Sequence, residues 1–154
     1  TARYLPGIGL YGGYIYLIGG ESGGANYTSV ERATISADGA TLGVFGNATG
    51  VNVNTVTYGM VSAVIGNIAY VFGGAATAIP YNRFNPATVY AEQESASIGS
   101  NGTLADFTAL TPDLVTPRFK AASIVLGNTL YIIGGYGGAS SPTQLDTIEQ
   151  ATIQ

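Results

Sequence analysis

The chain repeats one pattern of apolar and polar positions. An unbroken apolar run ends in a double glycine at Ile15-Tyr16-Leu17-Ile18-Gly19-Gly20, at Ala69-Tyr70-Val71-Phe72-Gly73-Gly74 and at Leu130-Tyr131-Ile132-Ile133-Gly134-Gly135. The runs are offset by 54 and 61 residues. A short apolar run without polar alternation is the signature of a strand covered on both faces. Before each run stands a two-residue turn signal, Gly12-Gly13, Gly66-Asn67 or Gly127-Asn128. This is the chemistry of a tight hairpin, in which both central residues are expected at positive φ. The pattern predicts first strands over 6–11, 60–65 and 121–126, and second strands over 14–18, 68–72 and 129–133.

The self-match extends in both directions. Residues 1–20 align with 116–135 without a gap, so that Thr1, Arg3 and Tyr4 match Thr116, Arg118 and Phe119. Downstream, Val30-Glu31-Arg32-Ala33-Thr34-Ile35 matches Ile148-Glu149-Gln150-Ala151-Thr152-Ile153 and, more weakly, Gln93-Glu94-Ser95-Ala96-Ser97-Ile98. These are third strands over 29–35, about 92–98, and 147–153. Asp38-Gly39 and Asn101-Gly102 mark a turn into a short fourth strand expected to end at Phe45 or Phe107. No segment carries a helical period. The expectation is one all-β domain over 1–154, in repeats of about 1–54, 55–115 and 116–154, the last without its fourth strand.

Four antiparallel strands per repeat, with the second buried on both faces, imply small sheets stacked face to face. Stacked radially, they form a β-propeller. The first strands carry small residues (Gly7, Gly9, Ser62, Ala63, Ala121, Ala122) that suit convergence on an axis. A β-sandwich does not explain a self-match of this length. The apolar run with Gly-Gly, the Arg ahead of the first strand and the hydrophobic-Glu pair of the third resemble kelch repeats across nearly the whole chain. Departures are Phe45 and Phe107 where the family usually has Trp, Ala33, Ala96 and Ala151 where it has Tyr, and Thr57 in place of Arg. The resemblance implies a propeller of kelch-like four-stranded blades, with three blades in this chain. Propellers usually need about 4–8 blades to close. The chain begins at Thr1 rather than Met, and the expectation is a piece of a longer polypeptide or, second, half of a ring built from two chains.

Composition narrows the chemistry. The chain of 154 residues has neither Cys nor His, which removes thiol nucleophiles, disulfides, imidazole bases and Ser–His triads. The copper site of galactose oxidase, which has a kelch propeller, needs His and a Tyr–Cys link that this chain cannot supply. Five Lys+Arg against nine Asp+Glu leave no basic footprint for nucleic acid. No stretch approaches the roughly 20 apolar residues of a membrane helix. The double glycines follow strands rather than lead into helices, so they read as tight-approach points and not as a phosphate cradle. No cofactor and no metal site is expected, and the chain is not expected to be an enzyme.

Candidate residues follow from the repeats. Glu31 is expected to pair with Arg3 and Glu149 with Arg118, while Glu94 faces Thr57 and lacks such a partner. Tyr16, Tyr70 and Tyr131 are expected in the core, each with its hydroxyl bonded at a blade edge. The segments 21–28, 75–91 and 136–146, with 46–56 and 108–117, are long and varied and share one rim; the tight turns share the other. Long loops on a rigid scaffold carry recognition. The binding candidates are Tyr81, Arg83 and Phe84, an aromatic–Arg cluster between two prolines, with Glu21, Tyr27 and Tyr136 on the same rim. The function expected is a structural or binding module of an extracellular, cell-surface or virion assembly. Its partners would be a protein, further blades from a longer chain or a homo-oligomer, or a glycan. The alternatives are a fragment of a carbohydrate-active propeller enzyme and a lectin-like module. Three sequon triplets, at Asn26, Asn47 and Asn101, arise readily by chance in so Asn- and Thr-rich a chain.

Overall fold

The computed structural model describes residues 1–55, 57–76 and 86–152. The described residues form strands and no helix, so none of them forms a helix long and apolar enough to cross a membrane. Three antiparallel meanders carry the fold. The first consists of β1 (Gly7–Tyr11), β2 (Tyr14–Ile18), β5 (Ser29–Thr34) and β6 (Gly46–Asn52). The second is β7 (Val61–Ile65), β8 (Ile68–Ala76), β9 (Thr88–Ser97) and β10 (Thr108–Leu110). The third is β11 (Ala122–Leu126), β12 (Thr129–Ile133) and β15 (Ile148–Thr152). Two small hairpins follow the double glycines of the first and third sheets: β3 (Glu21–Ser22) with β4 (Ala25–Asn26), and β13 (Tyr136–Gly137) with β14 (Thr143–Gln144).

The first three strands of each repeat lie where the apolar pattern placed them, within a residue or so, except that β8 and β9 run several residues further. The fourth strands do not. They begin just past Phe45 and Phe107, the residues at which they were expected to end. The turn after the third strand is closed by a lone bridge, Ile35 with Leu42 or Ile98 with Leu104. Ladder pairing resumes only beyond the aromatic, and Phe107 itself is buried between the first two sheets. The connection read as 46–56 is therefore mostly strand. The hairpin turns differ as well. Gly12 and Gly13 both have positive φ, but at Gly66-Asn67 and Gly127-Asn128 only the glycine does. Glycine at the first central position alone is the type II′ solution, which makes the same two-residue loop.

The sheets stack through their first strands, with β7 between β1 and β11. Alternation divides each strand between two neighbours. Tyr16, Ile18 and Val30 of the first sheet meet Val71, Ala96 and Ile98 of the second in one core. Tyr70 and Phe72 on the other side of the second sheet meet Leu130 and Ile132 of the third in another. Burying such side chains contributes about 1.5–3 kcal/mol each. Close approach is set by small residues: the Ser62 hydroxyl donates to the Ile8 carbonyl at 3.0 Å and accepts from the Ile8 amide at 2.8 Å, and Ser123 Oγ donates to the Ser62 carbonyl at 3.3 Å. The Tyr16 hydroxyl spans the first junction and donates to the Gly102 carbonyl at 2.8 Å. That bond is the edge contact expected of this tyrosine; burial pushes its pKa up.

Candidate functional site

Antiparallel pairing sends the tight turns to one end of the sheets and the longer segments to the other. At the long-segment end each sheet is latched to the segment that leads into it. Arg3 Nη2 lies 2.9 Å from Glu31 Oε1, and Arg118 Nη2 lies 2.5 Å from Glu149 Oε1. Both expected ion pairs are present. The lead-in backbone joins the same carboxylates: the Thr1 ammonium bonds Glu31 at 2.9 and 3.0 Å, and the Val115 and Thr116 amides bond Glu149 at 2.7 and 3.0 Å. In the middle sheet the Asn54 and Thr55 amides bond Glu94 at 2.8 Å each, and no arginine is needed. The glutamate thus serves foremost as an acceptor for backbone N–H groups, and the arginine is added where the repeat has one. The signal for this was available in the alignment, since Glu94 is retained where Arg is lost.

The arginines are buried on carbonyls. Arg3 Nη1 donates to Gly19 and Ser29 carbonyls at 2.8 and 2.9 Å, and Arg118 Nη1 to those of Gly134 and Thr147 at 2.9 and 3.3 Å. Burial by itself raises the pKa of Glu31, but hydrogen bonds from the Thr1 ammonium and the charge and hydrogen bond of Arg3 outweigh it and hold the carboxyl at about 2. A carboxyl lowered in the folded state contributes stability that is present above its ordinary value of 4.5 and lost as pH falls toward 2. Glu31→Gln is therefore expected to flatten the fall in melting temperature over that interval. A variant with the wild-type slope would show that the carboxylate is not coupled to folding.

The candidate binding residues take distinct positions. Glu21 lies on β3, fully buried, and its backbone pairs with that of Tyr4. It was expected to offer its side chain to a partner; burial beneath the rim removes it from any contact surface. Tyr27 is half-buried, with the Arg3 guanidinium 5.2 Å from its ring centroid, so it helps hold the latch. Tyr136, on β13, is exposed at one end of an aromatic row: its ring centroid is 5.9 Å from that of Phe119, which is 6.1 Å from that of Tyr58. Tyr81, Arg83 and Phe84 lie outside the described residues. Of the three described candidates, Tyr136 is the exposed one, Tyr27 is half-buried and Glu21 is buried.

Next to Tyr136 a cleft of about 410 Å³ opens between the second and third sheets. Thr88, Thr116 and Thr143 supply hydroxyls to it, and Val89, Pro117 and Leu145 supply apolar wall. Among the described residues no titratable side chain lines it, so these residues offer contacts rather than acid–base chemistry. Among the described residues no group of three or more Asp or Glu could hold a metal ion. No family model matches the chain, and no curated protein matches it.

Proposed function

We propose that the chain is an arc of a kelch-type β-propeller that works as a non-catalytic structural or binding module. Each meander is one blade, β1, β7 and β11 face the axis, and the rim of long segments meets the partner. The observation that carries this reading is the repeated junction, in which the same sheet positions face the next sheet and the same small first-strand positions bond across it. The low charge and the missing Cys and His support a scaffold in an extracellular, cell-surface or virion assembly.

The binding half of the proposal has a direct test. Peptides selected from a random phage library against the intact chain are expected to favour the long-segment rim. Tyr136→Ala and the triple change Tyr81→Ala/Arg83→Ala/Phe84→Ala should each weaken such peptides about tenfold or more, the cost of losing an aromatic anchor. Asn128→Ala, on the tight-turn rim, should leave them unchanged. Peptides sensitive only to Asn128 would move the contact surface to the other rim. A second reading has one observation in its favour: the cleft, whose described lining is uncharged and includes three threonines, lies beside an exposed tyrosine and suits a neutral sugar. Selective binding on a glycan array, lost on Tyr136→Ala, would favour it over a protein partner.

A further inference from the structure

Residues common to the repeats build the sheets, and a residue peculiar to one repeat is free for another task. Arg32 on β5 is such a residue: Ser95 and Gln150 take its place in the second and third sheets. Tyr14 on β2 is another, with Ile68 and Thr129 as its counterparts. Pairing sets Tyr14 opposite Thr34 and Tyr16 opposite Arg32, so Tyr14 and Arg32 are diagonal neighbours on the face turned to the second sheet. The Arg32 guanidinium carbon lies 5.1 Å from the Tyr14 ring centroid, a cation–π contact. Gly102 of the second repeat packs so closely against the same ring that a Cβ there would sit 2.4 Å from it. The Arg32 charge also acts on the Tyr16 hydroxyl, against the upward push of burial on its pKa. Arg3 and Arg118 are committed to carbonyls and to a glutamate. Arg32 pairs with no carboxylate among the described residues, and its Nη1 is buried without a hydrogen-bond partner. A charged donor in such surroundings is costly until an acceptor meets it.

Two clefts, of about 140 and 280 Å³, share Arg32 and Asn47 as a common wall at the tight-turn end of the first junction. The smaller reaches Thr103 and Leu104 of the second repeat, and the larger runs along Thr34 and Val44. Among the described residues neither cleft is lined by a carboxylate or by a second cation. We propose that Arg32 anchors a binding site for a small hydroxylated monocarboxylate of the acidic-monosaccharide class. A guanidinium is a planar fork that matches a carboxylate. One cation neutralises one carboxylate, whereas a phosphate dianion would keep charge that no second cation and no helix N-terminus among the described residues is there to meet. The Asn47 amide donates and accepts, and the Thr34 and Thr103 hydroxyls add polar groups on either side of it, which the hydroxyls of a sugar can answer. Val44 and Leu104 give the apolar wall that such a ring needs on its carbon face. The site lies at the opposite end of the sheets from the long-segment rim, and it does not rest on the propeller reading or on the partner contact proposed there.

Isothermal titration calorimetry of the whole 154-residue chain at low salt tests this, with glucuronate as the probe. Glucuronate is expected to bind. Glucuronamide has the same ring without the charge and should bind about tenfold or more weaker. Glucose 6-phosphate should bind no tighter than glucuronate. Arg32→Gln is expected to weaken glucuronate about tenfold or more, and Arg32→Lys to restore only part of the loss, since an ammonium keeps the charge without the fork. Glutamine is what the third repeat carries at this position, so the urea midpoint and far-UV circular dichroism of Arg32→Gln should stay near those of the wild type. Asn47 is exposed, and Asn47→Ala should weaken glucuronate several-fold with the fold unchanged. The proposal is overturned by no glucuronate binding at about 10 mM, by equal binding of glucuronamide, by tighter binding of glucose 6-phosphate, or by an Arg32→Gln variant that binds like the wild type.

Discussion

Replacing Arg118 with Met is expected to destabilise the chain by about 3 kcal/mol, read as a shift in the urea midpoint at constant slope. Arg118 is fully buried, and its guanidinium holds the Glu149 carboxylate together with the Gly134 and Thr147 carbonyls. Methionine fills much of the same volume but donates nothing, so the Gly134 carbonyl loses its arginine donor, while the Thr147 carbonyl keeps the Gly134 amide at 3.0 Å. Each buried acceptor left unsatisfied costs about 1–3 kcal/mol. The carboxylate keeps its bonds from the Val115 and Thr116 amides, which holds the loss near the lower end for a broken buried ion pair. This division makes a second outcome expected. Arg118→Met with Glu149→Leu should not recover stability, because removing the carboxylate strands two backbone N–H groups. Recovery to wild type would mean that the ion pair, rather than the backbone latch, is what the repeat retains.

The latch joins features that local sequence signals specify to others that only packing between sheets sets. Strand positions were legible because apolar runs and Gly-Gly or Gly-Asn turns are local signals, and β1, β2, β7 and β11 sit where those signals lie. The Arg–Glu pairs were legible because two of three repeats carry both partners. The start of β6 and β10 was not, since the segment before Phe45 and Phe107 makes a single bridge to the third strand and packing between sheets sets its path. Burial of Glu21 was hidden for a similar reason. An acidic residue after a double glycine reads as loop, and the backbone pair with Tyr4 that draws it under the rim joins residues of two separate segments. The repeats carry one more local signal. Leu5, Gly59 and Lys120 occupy one repeat position, and all three have positive φ, at 49°, 64° and 55°. The glycine in the middle repeat announced a conformation that its two non-glycine counterparts adopt at a cost of roughly 1 kcal/mol each. The Gly59 amide bonds the Leu5 carbonyl at 2.9 Å and the Lys120 amide bonds the Gly59 carbonyl at 2.7 Å, so the unusual backbone is what links one lead-in segment to the next.

The first glycine of each Gly-Gly pair provides the last and most discriminating expectation. Gly19, Gly73 and Gly134 share a repeat position and nearly the same φ, 59°, 59° and 65°. Alanine at any of them meets the penalty of the left-handed region, about 1–2 kcal/mol. What lies beyond differs. A Cβ on Gly73 would sit only 2.4 Å from the Arg118 carbonyl oxygen, the acceptor that the next residue, Gly74, bonds across the sheet junction. Backbone cannot yield cheaply, so Gly73→Ala should force the second and third sheets apart and cost about 4 kcal/mol in all. A Cβ on Gly19 would meet Met60 Cε at 2.5 Å, and a flexible methionine can turn aside, although the Thr57 carbonyl at 3.0 Å limits the relief. On Gly134 the nearest atom would be the Leu145 carbonyl oxygen at 3.3 Å, leaving little beyond the φ penalty. The expected order of destabilisation in urea is Gly73 above Gly19 above Gly134. Equal losses at all three glycines would show that backbone conformation alone requires them and that the junctions tolerate a methyl group.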